Sequence, residues 1–274
     1  MIKKCLLPVA GFGTRFLPVT KTVPKELLPI LSKPLIEYSL EEAIESNIRE
    51  IVLVTNKFKT GIKQHFEPHS ALENLIQGTN KDSLLNSTRN IMNNCELNYV
   101  YQEKMLGLGH AILQGRELIG NEPFAVILPD DLCYTSELSV IGQMMKIFES
   151  HQDKCVVAIE EVSLNEVENY GVIDGDEEGD SGNLFNVNIM VEKPKPSNAP
   201  SNLAIIGRYI FTRDIFEAIE KVKPDLKGEI QITDALMYLA QEGKVLAYKF
   251  AGKRMDCGSV DGYLEANNFF YGLS

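Results

Sequence analysis

Arg15 and Lys25 follow two glycines, Gly11 and Gly13, which end an apolar stretch opening at Ile2. Bare backbone at glycine lets N–H groups approach an anion closely, and Ala10 beside them is small enough to join such a loop. The two cations add full positive charge, as a nucleoside triphosphate requires. A glycine turn after a first strand occurs in many α/β proteins merely to reverse the chain. A loop with an arginine and a lysine close behind it is more specific. A dinucleotide fingerprint would need a third glycine where Phe16 stands, and the Gly-Lys-Ser/Thr phosphate loop does not occur. The pattern is therefore a nucleotide loop of a third kind.

Other residue types further along suit metal and sugar-phosphate chemistry. Asp130 and Asp131 come just past the apolar run 124–128, where loops at the carboxyl ends of strands gather ligands. Mg²⁺ takes one or two carboxylates and fills its remaining positions with phosphate oxygens and water. Asp256, in Arg-Met-Asp-Cys-Gly-Ser, stands between an expected strand and a helix and could complete such a site. Each of these acids could equally be a turn residue or a helix cap. Glu192 and Lys193 follow Ile-Met-Val; an acid binds sugar hydroxyls and a lysine neutralises phosphate, though the pair also fits a solvated strand end. Gly171 admits close approach of a ligand or marks a bulge. Gln102 offers an amide to a base edge, and Gly107-Leu108-Gly109 opens a helix whose N-terminus attracts anions. The four histidines are scattered, and none is assigned to catalysis or metal.

The elements that must position these residues alternate. Ile36, Leu40, Ile44 and Ile48 predict one helix face over 35–48, and residues 51–55 a strand buried on both sides. Strands are expected at 97–101, 124–128, 155–162, 204–211 and 245–250. Helices are expected at 110–118, 138–148, 212–222, 229–241 and from 259 onward. Residues 57–94 are polar and mostly helical in pattern, with a break at Gly78-Thr79-Asn80. Residues 174–183 read as an acidic hairpin tip, and the proline-rich 193–200 as loop. Repeated strand–helix units predict a mainly parallel sheet with helices on both faces. The expectation is one domain over 1–274, with a nucleotide-binding part to about residue 165 and a sugar-phosphate part from about 166.

The balance of residues narrows the ligand classes. Over 274 residues the formal net charge is -11, which repels nucleic acid polymers, and no basic stripe offsets it. A polyphosphate ligand would need locally concentrated cations and a divalent metal. No apolar run approaches the roughly 18 residues of a membrane span, and the first apolar stretch is interrupted too early for a signal peptide. Five scattered cysteines, without Cys-x-x-Cys spacing, fit reduced thiols in a cytoplasmic protein.

The chain resembles the bacterial UTP–glucose-1-phosphate uridylyltransferases, or UDP-glucose pyrophosphorylases, within the wider sugar-nucleotidyltransferase family. The likeness runs end to end: Pro-Val-Ala-Gly-Phe-Gly-Thr-Arg at 8–15, Pro-Lys-Glu-Leu-Leu-Pro at 24–29, Gly-Leu-Gly-His-Ala at 107–111, Leu-Pro-Asp-Asp at 128–131, Val-Glu-Lys-Pro at 191–194, Glu-Ile-Gln-Ile-Thr-Asp at 229–234 and Asp-Cys-Gly-Ser at 256–259. The first loop carries Phe12 where thymidylyltransferase relatives usually have glycine.

The resemblance implies a Rossmann-like nucleotide-diphospho-sugar transferase fold, an α/β mainly parallel mixed sheet flanked by helices. It implies that Ala10, Gly11 and Gly13 line the nucleotide, that Arg15 and Lys25 act on the triphosphate, and that Gln102 and Gly107 recognise uracil. Asp130 and Asp256 would hold Mg²⁺, with Asp131 beside the nucleotide. Gly171 and Glu192 would contact glucose, and Lys193 its phosphate. UTP, glucose 1-phosphate and UDP-glucose would be the partners, without nucleic acid or membrane, in a homodimer or homotetramer. Other base or sugar specificity, or a silent regulatory subunit on the same fold, are the alternatives. A sugar-nucleotide glycosyltransferase is disfavoured by the lack of Asp-x-Asp at 130–133.

Overall fold

Every second residue of the early strands faces the same layer. Cys5, Leu7 and Val9 join one apolar cluster with Ile51, Leu53, Ala125 and Ile127. Leu6, Val52, Val54, Phe124 and Val126 join another on the opposite face. A two-residue side-chain period with both faces apolar requires a sheet covered on both sides. The computed structural model describes residues 1–179 and 181–273, and it has that architecture.

The strands are β1 (Lys4–Pro8), β2 (Pro29–Ile30), β3 (Lys33–Pro34), β4 (Glu50–Thr55), β5 (Glu96–Tyr101), β6 (Phe124–Ile127) and β7 (Asp131–Tyr134). They continue as β8 (Cys155–Glu161), β9 (Gly171–Glu177), β10 (Leu184–Glu192), β11 (Leu203–Phe211), β12 (Val245–Lys249) and β13 (Lys253–Asp256). The helices are α1 (Leu35–Glu45), α2 (Thr60–His65), α3 (Ser70–Ile76), α4 (Asn86–Asn94) and α5 (Gly107–Gln114). After them come α6 (Arg116–Ile119), α7 (Val140–Ser150), α8 (Asp214–Lys221), α9 (Ile232–Gln241) and α10 (Val260–Tyr271).

One nine-stranded sheet runs β5-β4-β1-β6-β11-β8-β12-β10-β9. The pairs β5–β4, β4–β1 and β1–β6 are parallel. Their carboxyl ends therefore share one edge, where the loops after residues 8, 55, 101 and 127 meet. Beyond β6 the sheet is mixed: β11 runs antiparallel to β6, β8 and β9, and β12 pairs β8 in parallel. Parallel pairing is thus concentrated in the first half, and the late hairpin β9–β10 brings antiparallel order to the other edge.

The helix expected at 110–118 is divided at Gly115 into α5 and α6, and two further departures lie near that loop edge. Residues 229–231 precede α9 in extended form instead of beginning a helix. Gly107 and Gly109 explain this: the start of α5 lies against Ile230, and Gly109 N–H donates to Ile230 O at 2.9 Å. A Cβ on Gly109 would meet that oxygen at 2.8 Å. The loop after β6 does not run straight into a helix but forms β7, which pairs with β13 in a separate two-stranded sheet. A third apolar cluster, with Leu132, Met255 and Ala266, supports this sheet, and Phe269 and Phe270 of α10 pack on it. Asp180 of the expected hairpin tip lies outside the described residues.

Candidate active site

The first loop owes its shape to Gly13, whose φ of 64° lies in the left-handed region. A Cβ there would also meet Lys25 Cβ at 2.9 Å, so the loop backbone rests directly on the lysine stem. Thr20 Oγ1 closes the loop by donating to Gly13 O at 2.8 Å. Arg15 reaches across to the turn after β13, its guanidinium donating to Gly258 O at 3.3 Å.

Lys25 Nζ stands 2.5 Å from Asp130 Oδ2. Burial works against the lysine's charge, yet the carboxylates of Asp130 and Glu26 outweigh it and hold the ammonium above its ordinary value. Burial likewise pushes Asp130 up, but Lys25, with Arg15 behind it, keeps that carboxyl below the usual range. The pair is ionised, and it joins two positions that the sequence separates by most of the first half.

Asp256, the last residue of β13, approaches the same space. A Cβ on Gly258 would lie 3.0 Å from Asp256 Oδ1, 3.1 Å from Asp130 Oδ2 and 3.5 Å from an Arg15 guanidinium nitrogen. Neither acid caps a helix, though Asp256 Oδ1 serves the turn after β13, accepting from Gly258 N–H at 2.9 Å. Ser139 caps α7 and Ser259 caps α10 through their own hydroxyls. Two carboxylates converging on one small space, with phosphate and water for the remaining positions, fit a hard octahedral cation such as Mg²⁺. No cluster of three or more His, Cys, Asp or Glu side chains forms a denser metal site among the described residues.

Asp131 departs from its expected role at the nucleotide. Its Oδ1 accepts from Arg254 Nε at 2.6 Å, and its Oδ2 accepts from Gly207 N–H at 2.7 Å. Both oxygens are therefore engaged by protein, and the side chain is buried. It borders the cavity of Glu192 and Lys193 but not the one of the glycine loop. Its partner Arg254 was not singled out by the sequence. That guanidinium also holds Glu160 Oε1 at 2.7 Å and lies over the Tyr170 ring at 4.8 Å. It therefore ties β13, which carries Asp256, to the segment before Gly171. Arg254 stands two residues before Asp256, on the same side of a strand, which is the one signal that could have found it.

Gln102 and Gly107 meet as expected. Gln102 is buried, and its Nε2 donates to Gly107 O at 3.2 Å and approaches His110 Nδ1 at 2.9 Å. Burial, with Lys104 nearby, lowers the His110 pKa and so favours the neutral ring that can accept this bond. With its amide nitrogen occupied, Gln102 has its carbonyl oxygen left for a base. Gly107 has φ 87°, and a Cβ there would meet Glu229 Cβ at 3.0 Å.

Gly171 and Glu192 face each other in the β9–β10 register. Glu192 Oε2 accepts from Thr233 Oγ1 at 2.5 Å, and a Cβ on Gly171 would meet that hydroxyl at 3.0 Å. Glycine at 171 thus leaves room for the acid and the threonine to converge; Thr233 is a further residue that sequence reasoning did not place. Lys193 has a left-handed φ of 46°, and its ammonium lies 3.2 Å from Glu192 Oε1.

Two adjoining cavities result. One, of about 370 Å³, is bordered by Ala10, Gly11, Gly13, Lys25, Gln102 and Gly107. The other, of about 310 Å³, is bordered by Gly171, Glu192, Lys193, Thr233, Arg254 and Asp256. Asp130 belongs to both. A glycine loop at the carboxyl edge of a parallel half-sheet, facing a carboxylate pair, defines an α/β nucleotide-handling protein.

The family model for nucleotidyl transferases matches residues 4–271, and the chain belongs to that family. Within it, the chain is 56% identical over 273 residues to a UTP–glucose-1-phosphate uridylyltransferase of Pseudomonas aeruginosa, covering 99% of this chain and 96% of that one. A crystal structure of UDP-glucose pyrophosphorylase complexed with UDP-glucose superposes with a TM-score of 0.93 at 51% identity, over the whole of both chains. A UTP-bound relative from Acinetobacter baumannii gives a TM-score of 0.89 at 38% identity, covering 100% of this chain and 94% of that one.

Proposed function

We propose that the chain transfers UMP from UTP to glucose 1-phosphate, giving UDP-glucose and pyrophosphate. The observation that carries this reading is the pair of cavities sharing Asp130, one bordered by the glycine loop and the other by Glu192 and Lys193. Of the three relatives named above, one is named a uridylyltransferase, one is complexed with UDP-glucose and one is bound to UTP.

In the proposed reaction a phosphate oxygen of glucose 1-phosphate attacks the α-phosphorus of UTP. The bond from that phosphorus to the β-phosphate oxygen breaks, and pyrophosphate leaves with the electron pair. Glucose 1-phosphate is already an anion at neutral pH, so no general base is needed. Alignment and charge neutralisation dominate instead. Arg15 and Lys25 would oppose the triphosphate charge, and Lys193 that of the sugar phosphate. Glu192, with Thr233 against it, would receive glucose hydroxyls beside Gly171. Asp130 and Asp256 would hold Mg²⁺, which when bound supplies charge to the phosphate oxygens.

Gln102, with only its carbonyl oxygen to offer, would accept from the uracil N3–H and reject cytosine, whose N3 is itself an acceptor. Thymine shares that N3–H, so discrimination against dTTP would rest on the 5-methyl group and the ribose 2′-hydroxyl. The same proposal takes residues 1–274 as one working unit, in the cytoplasm, as a homodimer or homotetramer; family resemblance is its support.

Pyrophosphate release from UTP and glucose 1-phosphate, with Mg²⁺ or EDTA and beside dTTP, tests the reading. Metal-dependent release favouring UTP is expected. Preference for dTTP would overturn the base assignment, and no release with any pair would point to a silent regulatory subunit.

A further inference from the structure

Three consecutive carbonyls of the first loop are fastened from behind by one short segment. Lys59 Nζ donates to Val9 O at 2.8 Å and to Gly11 O at 2.7 Å. Between them, Asn56 Nδ2 donates to Ala10 O. Asn56 is itself fixed, its Oδ1 accepting from Phe58 N–H at 2.9 Å. In a trans peptide the carbonyl and the following N–H point in opposite directions. Holding carbonyls 9, 10 and 11 therefore turns the N–H groups of Ala10, Gly11 and Phe12 away from Lys59. These three residues border the cavity that also contains Lys25 and Asp130. Among the described residues, none of the three N–H groups has a hydrogen-bond acceptor.

The third donor of the same ammonium goes to Glu26 Oε2 at 2.5 Å. Glu26 directly follows Lys25, and it is 1% exposed while Lys59 is 7% exposed. Glu26 Oε1 is buried with no hydrogen-bond partner among the described residues. An apolar pair of similar size would avoid that cost and often stabilises a fold better than a buried ion pair. A methionine stem would fill the space of Lys59, but it could not grip three acceptors at once.

We infer that Lys59 is a positioning residue for nucleotide binding. Its ammonium sets the loop N–H groups toward the triphosphate and, through Glu26, fixes where Lys25 stands. Its three donors are all engaged by protein, so it acts through these groups rather than on substrate. This inference rests on the nucleotidyl-transfer reading above.

The test is Lys59→Met, with KM measured separately for UTP and glucose 1-phosphate in saturating Mg²⁺. UTP KM is expected to rise about 10–100-fold, the scale of a misplaced binding group. Glucose 1-phosphate KM should stay within about twofold, and Lys59→Arg should recover only part of the loss, its planar fork being unable to meet three converging acceptors. Should Lys59→Met not fold, Asn56→Ala frees one carbonyl alone and should raise UTP KM several-fold with the same selectivity. A folded Lys59→Met with unchanged UTP KM overturns the inference. So does a parallel loss for both substrates, or failure of both variants to fold, since each marks a merely structural brace. If the wild type itself releases no pyrophosphate, the reading of the reaction fails. Calorimetric UTP binding to wild type and variant then still decides the role of Lys59.

Discussion

The two sides of the site are built from different materials. On the nucleotide side a glycine loop presents backbone beside Lys25 and Gln102, and the groups around it are buried: Gln102 is 4% exposed and Glu26 1%. On the sugar-phosphate side it presents side chains at strand ends, and the Lys193 side chain is 53% exposed. The parallel half-sheet accounts for the first, since its carboxyl ends converge on one edge. The mixed half accounts for the second, because the end of a hairpin offers Glu192 and Lys193 as projecting groups. On the proposed reading a triphosphate would be matched largely by fixed N–H groups, and sugar hydroxyls and one phosphate by adaptable side chains. The nucleotide side is thus preformed, and the sugar side is open.

Substitutions that strike one side or both can break this contrast. Asp130 borders both cavities, so Asp130→Ala should lower kcat by roughly two to four orders of magnitude, about 3–5 kcal/mol of transition-state stabilisation. Full Mg²⁺-dependent turnover in that variant would remove the carboxylate from the reaction. Lys193→Ala strikes only the open side. It should raise glucose 1-phosphate KM by about 10-fold or more and lower kcat, while UTP affinity measured by calorimetry stays put. An equal loss of UTP affinity would mean that the two sides are not separable.

Gly107→Ala probes the seam, where φ is 87° and Glu229 leaves little room. It should cost about 1–3 kcal/mol in stability, read by denaturant midpoint, and weaken UTP binding more than sugar phosphate binding. The smallest effect is expected far from either cavity. Glu37, on α1, holds His65, Ser87 and Thr88, which belong to α2 and α4. Burial alone would raise its pKa, but these hydrogen bonds hold the carboxyl below its ordinary value. A depressed carboxyl stabilises the fold above its unfolded pKa and loses that contribution as pH falls through the folded one. Acidification below about pH 4.5 should therefore lower Tm more steeply in the wild type than in Glu37→Gln.

Sequence reading reached furthest where the chemistry is local. Gly11, Gly13, Arg15 and Lys25 lie on one loop and the turn behind it, so their spacing alone carries the signal. Continuous apolar runs likewise gave β1, β4 and β6, because both faces are covered. What stayed hidden depends on partners distant in sequence. Asp131 reads like its neighbour until Arg254, far down the chain, takes its carboxylate. Residues 229–231 run straight into the helical pattern of 232–241, but α5 packs against them and holds them outside the helix. Lys59 is one cation in a polar stretch, and nothing local distinguishes it from a solvated lysine.

The most direct test is the stereochemical course at the α-phosphorus. UTP made chiral there with sulfur should be converted with glucose 1-phosphate and the configuration of the product determined. Direct attack by the sugar phosphate, with both substrates held around Asp130, predicts inversion. Retention would mean two displacements through a covalent uridylyl-enzyme, and would contradict an account in which alignment and charge alone carry the transfer.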